Sequence, residues 1–308
     1  MNKFFSKALP HVVAVLVFMA ISLAYFYPQI QGKRLYQHDI AQWRGSAKEI
    51  MDFKEKTGKE TLWTNSMFGG MPAYLISANY TGNLMLKVNK AMNFLQRPAS
   101  FIFITMAGFY ILLLVLGLNP WLSIVGALGY GLSTYFFIVI GAGHNSKIQA
   151  IGYVAPMIAG LVMACKGKLW GGMAVFGLFL GLNLASGHPQ ITYYSAFIML
   201  AMLIAYIISA QKAKNLKTIY KAIGFLAVAG ILAVGSNFSN LWFTYDYGKD
   251  SIRGKSELTD NQHNKTSGLD KDYVTQWSYG VAETFNMLIP NLMGGASSMD
   301  VGENSETF

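Results

Sequence analysis

Residues 99–118 read ASFIFITMAGFYILLLVLGL, a stretch without a single charged side chain. A helix of about 20 mainly apolar residues is long enough to cross the hydrocarbon core of a bilayer. The same pattern recurs six more times along the chain, at 9–28, 121–142, 148–165, 169–187, 190–210 and 221–239. The sequence therefore predicts an all-α polytopic membrane protein with about seven transmembrane helices.

The composition favours the same class of protein. Of the 308 residues, 53% are hydrophobic and 13% are charged, which is about half the charged share of an ordinary soluble domain. A soluble fold of this length would need many more charged side chains to cover its surface. Cys165 is the one cysteine of the chain, which excludes a disulfide framework and a multi-cysteine metal site.

The distribution of charge predicts the orientation of the helices. With the N-terminus inside, the inner segments carry lysines and no acid, and all 15 acidic residues lie outside. The inner lysines are Lys3, Lys7, Lys166, Lys168, Lys212, Lys214, Lys217 and Lys221. This arrangement satisfies the positive-inside rule and predicts a multi-pass protein of the cytoplasmic membrane. The net charge of +9 is then a topological signal near anionic lipids, and no nucleic-acid partner is predicted.

Two long polar segments lie on the predicted outer side. Residues 29–98 form the first outer loop, and residues 240–308 follow the seventh helix. Apolar residues at helical spacing within 40–53 and 84–95 predict amphipathic helices at the membrane surface. The domain prediction is a transmembrane bundle over 1–239, which includes the outer loop, and an outer-face segment that continues in a longer chain.

Asp39 is the first candidate for chemistry at the outer face. It lies in the segment YQHDI at 36–40, between the first transmembrane helix and the surface helix. A carboxylate at the boundary between water and lipid can act as a general base. The alternative is a helix N-cap, because Asp is a preferred residue at that position and Ile40 opens the apolar stripe.

Two short outer links supply the other candidates. Lys147 follows His144 and Asn145 at the start of the fourth helix, where a lysine beside a helix N-terminus suits a phosphate group. The alternative is a lysine that extends toward lipid head groups. His188 precedes Pro189 in the matching link, where the helix dipole favours a neutral imidazole. The two histidines also suggest a metal, but no further ligand spacing supports one, so a divalent cation stays an open alternative.

The last segment combines aromatic residues with a carboxylate. Trp277 and Tyr279 precede Glu283, and rings that stack on sugar faces beside a carboxylate that binds hydroxyls favour a sugar or acceptor site. The alternative is an aromatic belt at the membrane interface.

Several kinds of site are missing from the sequence. It contains no phosphate-binding Gly-rich loop, no HExxH and no GxSxG motif, which argues against nucleotide hydrolysis and zinc proteolysis. The predicted helices contain no Asp, Glu or Arg, which weakens a coupled transporter. The polar residues available for a path across the bundle are Asn183, Ser186, Thr192 and Tyr193.

A set of short motifs carries a family resemblance. They are YQHD at 36–39, LWTN at 62–65, FGGMP at 68–72, GHNSK at 143–147, HPQ at 188–190, WSYG at 277–280 and IPN at 289–291. In order and spacing they resemble the YfhO family of bacterial membrane proteins. The residues within the motifs are similar to those of the branch found in Bacteroidetes. Members of that family are usually much longer, so the resemblance implies that this chain is an N-terminal fragment.

The family in turn resembles the GT-C class of polytopic glycosyltransferases, which take sugar from a polyprenyl-phosphate carrier at the outer face. In that class an acidic residue of the first outer loop acts as catalytic base or metal ligand, and the matching position here is Asp39. A paired acidic motif in a later loop has no clear match, which leaves metal dependence open.

The main hypothesis is an inverting, hexosyltransferase-like membrane glycosyltransferase that transfers sugar from a lipid-linked donor to an envelope or lipid acceptor. Asp39 would be the catalytic base, while Lys147, His144 and His188 would bind the donor phosphate. Trp277, Tyr279 and Glu283 would bind sugar or acceptor. The alternatives are a transporter or flippase of a lipid-linked envelope precursor, and a non-catalytic membrane scaffold.

Overall fold

The structure, a computed structural model, describes residues 3–77, 82–249, 275–276, 278, 280–289 and 292–293. The chain divides into two compact units, Met1–Asn237 and Phe238–Phe308. The helices of the first unit are α1 (Lys3–Tyr25), α2 (Tyr27–Ile30), α3 (His38–Ser46), α4 (Lys48–Thr57), α5 (Leu84–Met92), α6 (Ala99–Leu116), α7 (Pro120–Gly131), α8 (Thr134–Ala142), α9 (Asn145–Cys165), α10 (Leu169–Ala185), α11 (Pro189–Lys212) and α12 (Leu216–Ser236). The second unit contains α13 (Phe238–Gly248) and a short 3-10 helix, Ala282–Met287.

The apolar helices confirm the predicted class, an all-α polytopic membrane protein. Among the described residues, five helices are long and apolar enough to cross a membrane: α1, α6, α9, α11 and α12. A sixth crossing results if α7 and α8 form one span, although the chain bends by 44° between them. The remaining predicted crossing corresponds to α10, which is apolar but has 17 residues. The number seven and the orientation stay predictions.

The bundle is built around α9, which packs against α6 and α10. Within its most apolar window 83% of the residues are buried, compared with 6% for α11. Two glycines let α9 and α10 touch through their backbones. A Cβ atom at Gly160 would lie 2.4 Å from the Phe176 backbone nitrogen, and one at Gly172 would lie 2.5 Å from the Ala164 backbone nitrogen. Small residues at such contacts are the usual basis of close helix packing in membranes.

The first loop has more structure than one surface helix. The predicted helix over 40–53 is in fact two, because the chain breaks at the fully buried Ala47 between α3 and α4. Two short strands, β1 (Trp63–Thr64) and β2 (Met71–Pro72), pair antiparallel after α4. The Glu49 carboxylate accepts a hydrogen bond from the Thr64 hydroxyl. It also accepts two from the backbone N–H groups of residues 65 and 66, both of which are 2.9 Å long. These bonds lower the pKa of Glu49, the Thr64 hydroxyl most of all, and they hold α4 against the strands.

Side-chain contacts gather the described part of the first loop and two helix links at one end of the bundle, which we call the loop end: residues 29–77 and 82–98 with the α8–α9 and α10–α11 links. The Asn83 amide donates to the Asn237 side chain at 2.9 Å, and Asn183 donates to the Ala150 carbonyl at 2.8 Å. At the opposite end, Lys166 donates to the Val115 carbonyl at 2.7 Å. The outward orientation of the loop end stays a prediction from charge.

Candidate active site at the loop end

The α8–α9 link lies directly against the start of α3, and Gly143 makes this contact possible. Gly143 ends α8 with a φ of 99°, in the left-handed region that favours glycine. A Cβ atom there would lie 3.2 Å from the Cβ atoms of Asp39 and Gln37 and 3.3 Å from the backbone nitrogen of Ile40. The sequence predicts site residues in both segments, YQHDI at 36–40 and GHNSK at 143–147, and the structure brings the two segments into contact.

Asp39 pairs with His144 across this contact. The Oδ2 atom of Asp39 lies 2.8 Å from Nε2 of His144, and both side chains remain partly exposed, at 44% and 47%. The alternative role of Asp39 as a helix N-cap is wrong. Gln37 occupies the cap position, α3 begins at His38, and Asp39 lies in the first turn. The carboxylate is therefore free of a capping bond and faces the imidazole, where the helix N-terminus still favours its negative charge.

Lys147 lies three residues after His144 at the start of α9, and the charges of both residues act on His188. The Lys147 ammonium is 5.4 Å from the centre of the Tyr135 ring. Among the residues that the structure describes, no carboxylate lies within ion-pair distance of it. Burial lowers the pKa of His188, and the positive charges of Lys147 and His144 lower it further. The shift favours the neutral form of His188, and in the described part of the chain its buried Nδ1 atom has no hydrogen-bond partner.

The lowered pKa of His188 predicts an acid-sensitive step in stability. Because its pKa in the folded protein lies below the ordinary 6.5, the unfolded chain binds the proton more readily. The contribution of His188 is therefore complete above that value and is lost as the pH falls below it toward the folded pKa. In thermal unfolding at a series of pH values, His188→Gln should lose less stability on acidification than the wild type. Gln190→Ala, which removes no titratable group and lies in the first turn of α11 directly after the link, should keep the wild-type slope, and equal slopes in all three proteins would contradict the assignment.

The aromatic segment is only partly described. Trp277 and Tyr279 lie outside the described residues. Glu283 lies in the 3-10 helix of the second unit, where its exposed carboxylate accepts the Gly280 N–H at 2.8 Å. The prediction of a sugar or acceptor site in this segment remains a prediction.

The described residues offer limited means of holding a metal. No group of three or more His, Cys, Asp and Glu side chains that could bind an ion occurs among them. Asp39 and His144 supply two ligands of a kind that divalent metals accept, and a divalent cation accordingly stays an open alternative.

A buried polar cluster was missed by the sequence reasoning. The Asn89 side-chain oxygen accepts hydrogen bonds from Gln149 at 2.5 Å and from the Tyr153 hydroxyl at 2.6 Å, and all three residues are buried. These hydrogen bonds connect α5 to α9 at the loop end. The amide of Gln149 within an otherwise apolar helix was the available signal, because a polar group there needs a buried partner.

Two of the four polar residues suggested for a transport path, Asn183 and Thr192, hydrogen-bond each other. Asn183 is fully buried and accepts the Thr192 hydroxyl at 2.5 Å, while its amide nitrogen donates to the backbone of α9. Both side chains are therefore used in joining α9, α10 and α11.

The fold defines the class, an all-α polytopic membrane protein. At the loop end it carries a group of charged and histidine side chains, Asp39, His144, Lys147 and His188. No protein-family model matches the chain, and comparisons with curated proteins and with solved structures give no match either. The resemblance to the YfhO family and to the GT-C class stays a prediction, and the function has to be argued from the site.

Proposed function

We propose that the loop end is the active site of a membrane glycosyltransferase that uses a lipid-phosphate-linked sugar as donor. The observation that carries the proposal is the pairing of Asp39 with His144, three residues before a lysine at the start of α9 whose ammonium group pairs with no described carboxylate. A carboxylate, an imidazole and a cation at one membrane boundary are the groups that such a transfer needs. The resemblance of the motifs to the GT-C class supports the same reaction.

The residues would divide the work as follows. Asp39 takes the proton of the acceptor hydroxyl, whose oxygen then attacks the anomeric carbon of the donor. The bond between that carbon and the phosphate oxygen breaks, and the lipid phosphate leaves as an anion that Lys147 stabilises. His144 offers Nε2 to the carboxylate, so we assign it to orienting Asp39, and neutral His188 donates to or accepts from the phosphate region.

The transporter alternative has no comparable observation. Its candidate path residues Asn183 and Thr192 hydrogen-bond each other and the α9 backbone. A sugar that crosses the membrane without forming a new bond would favour the transporter. Transfer of label from a polyprenyl-phosphate sugar to an acceptor, by the full-length protein in detergent or vesicles, would favour the enzyme.

Lys147→Ala tests the phosphate-binding assignment. Loss of a charge-assisted contact is expected to raise the KM for the lipid-phosphate donor about tenfold or more. Lys147→Arg should retain much of the affinity because the positive charge is kept. Lys48→Ala is the matched control, since Lys48 is an exposed lysine of α4 whose ammonium pairs with Asp52 at 2.6 Å. A donor KM that is equal in Lys147→Ala and wild type would remove Lys147 from the site.

A further inference from the structure

Gln37 and Asn145 form a reciprocal amide pair at the base of the candidate site. The Gln37 amide nitrogen donates to the Asn145 side-chain oxygen at 3.0 Å, and the Asn145 amide nitrogen donates back to Gln37 at 3.3 Å. Gln37 also donates to the Ile140 backbone carbonyl at 2.6 Å. One side chain thus connects the start of α3 to both α8 and α9.

The two amides flank the reactive pair in sequence as well as in space. Gln37 lies two residues before Asp39, and Asn145 directly follows His144. In the described part of the chain, the bonds of Gln37 and the contact of Asp39 with His144 are the side-chain hydrogen bonds that join residues 37–46 to α8 and α9. Without the amide pair, the position of the carboxylate would depend on its own contact alone.

We propose that Gln37 and Asn145 are positioning residues that hold the Asp39 carboxylate against His144. A neutral amide neither takes the acceptor proton nor neutralises a phosphate, so their contribution acts through the two residues they fix. Each amide both donates and accepts, and the pair therefore needs an amide at both positions. The role in sugar transfer rests on the proposed function, whereas the role in holding the pair can be measured without it.

The direct measurement is the reactivity of the His144 imidazole toward diethyl pyrocarbonate at neutral pH, followed on its peptide by mass spectrometry in the full-length protein. In the wild type Nε2 of His144 lies 2.8 Å from the Asp39 carboxylate, and this contact is expected to slow its modification although the side chain is partly exposed. Gln37→Ala and Asn145→Ala should each raise the rate of modification about fivefold, the factor that one net hydrogen bond contributes. Asp39→Ala, which removes the carboxylate altogether, should raise it as well.

Two further variants separate positioning from general damage. Gln42→Ala removes another glutamine side chain of α3, which contacts His38 at 2.7 Å, and it should leave His144 as unreactive as in the wild type. Gln37→Asn shortens one amide and should expose His144, while the exchanged pair Gln37→Asn with Asn145→Gln restores the combined length and should protect it again. Renewed protection of His144 in the exchanged pair would support positioning by the two amides even if an alanine variant fails to fold.

In the transfer assay, Gln37→Ala and Asn145→Ala should each lower kcat about tenfold and leave the donor KM unchanged, because they misplace the base without removing the phosphate contact. Wild-type reactivity of His144 in both Gln37→Ala and Asn145→Ala, or an equal rise in Gln42→Ala, would overturn the proposal. If the wild type transfers no sugar, the proposed function fails, and the reactivity of His144 still decides whether the amides hold the pair.

Discussion

Asp39→Asn is expected to lower the rate of sugar transfer by about 10²- to 10⁴-fold, the usual contribution of a positioned general base. The amide keeps the size of the side chain and still accepts a hydrogen bond from His144, but it cannot take the proton of an acceptor hydroxyl. The loss should therefore appear in kcat, with the donor KM close to its wild-type value. The measurement is label transfer from a polyprenyl-phosphate sugar by protein of verified monodispersity.

Asp52→Asn is the control for this experiment. Asp52 is another carboxylate of the first loop, on α4, and its partner is the exposed Lys48 at 2.6 Å. Exposed ion pairs of this kind contribute little to stability, so this variant should transfer sugar at the wild-type rate. If Asp39→Asn and Lys147→Ala both transferred at the wild-type rate as well, the assignment of the site to the loop end would be wrong.

Gly160→Ala is expected to destabilise the bundle by about 2–3 kcal/mol or more, because overpacking a tight contact forces the backbone to move. The added methyl group would lie 2.4 Å from the backbone nitrogen and 2.7 Å from the Cα atom of Phe176. Neither atom is the end of a flexible side chain, so α9 and α10 would have to separate. The Tm in a single detergent, compared with that of the wild type, measures the effect.

Gly224→Ala serves as the matched control, since both are glycines inside apolar helices. A Cβ atom at Gly224 meets nothing within 4 Å. Alanine is the better helix former, so this variant should unfold at the wild-type temperature or slightly above it. Equal Tm values for the two variants would show that α9 and α10 are not in backbone contact.

The class of fold was predictable because apolar length is a local property of the chain. The breaks between α7 and α8 and between α3 and α4 were harder to predict. The 44° bend between α7 and α8 falls at Leu132 and Ser133, inside the segment GYGLSTY at 129–135, whose glycines and hydroxyl side chains are a local signal that the prediction of one span over 121–142 did not use. The break at Ala47 is a change in backbone conformation, with φ −88° and ψ 0°. The apolar spacing over 40–53 continues through it, although Gly45 and Ser46 directly before it are poor helix formers.

The candidate site was predictable in its members and not in its pairing. Asp39, His144 and Lys147 could be named from residue type and from their place in predicted loops. That Asp39 faces His144 depends on how closely the α8–α9 link approaches α3, which Gly143 permits and no periodicity encodes. The same limit explains why the pairing of Gln37 with Asn145 was not predicted, since amides become informative only once their partners are known.

The shortness of α10 bears on the shape of the surrounding bilayer. Seventeen residues rise only about 25 Å, whereas the hydrocarbon core measures about 30 Å. If α10 crosses the membrane as the sequence predicts, this hydrophobic mismatch is relieved by local thinning of the lipid or by drawing the link at residues 186–188 below the level of the head groups. Thinning would bring the phosphate of a neighbouring lipid toward the depth of His188, so that a lipid-linked donor would reach the site by lateral diffusion within its own leaflet.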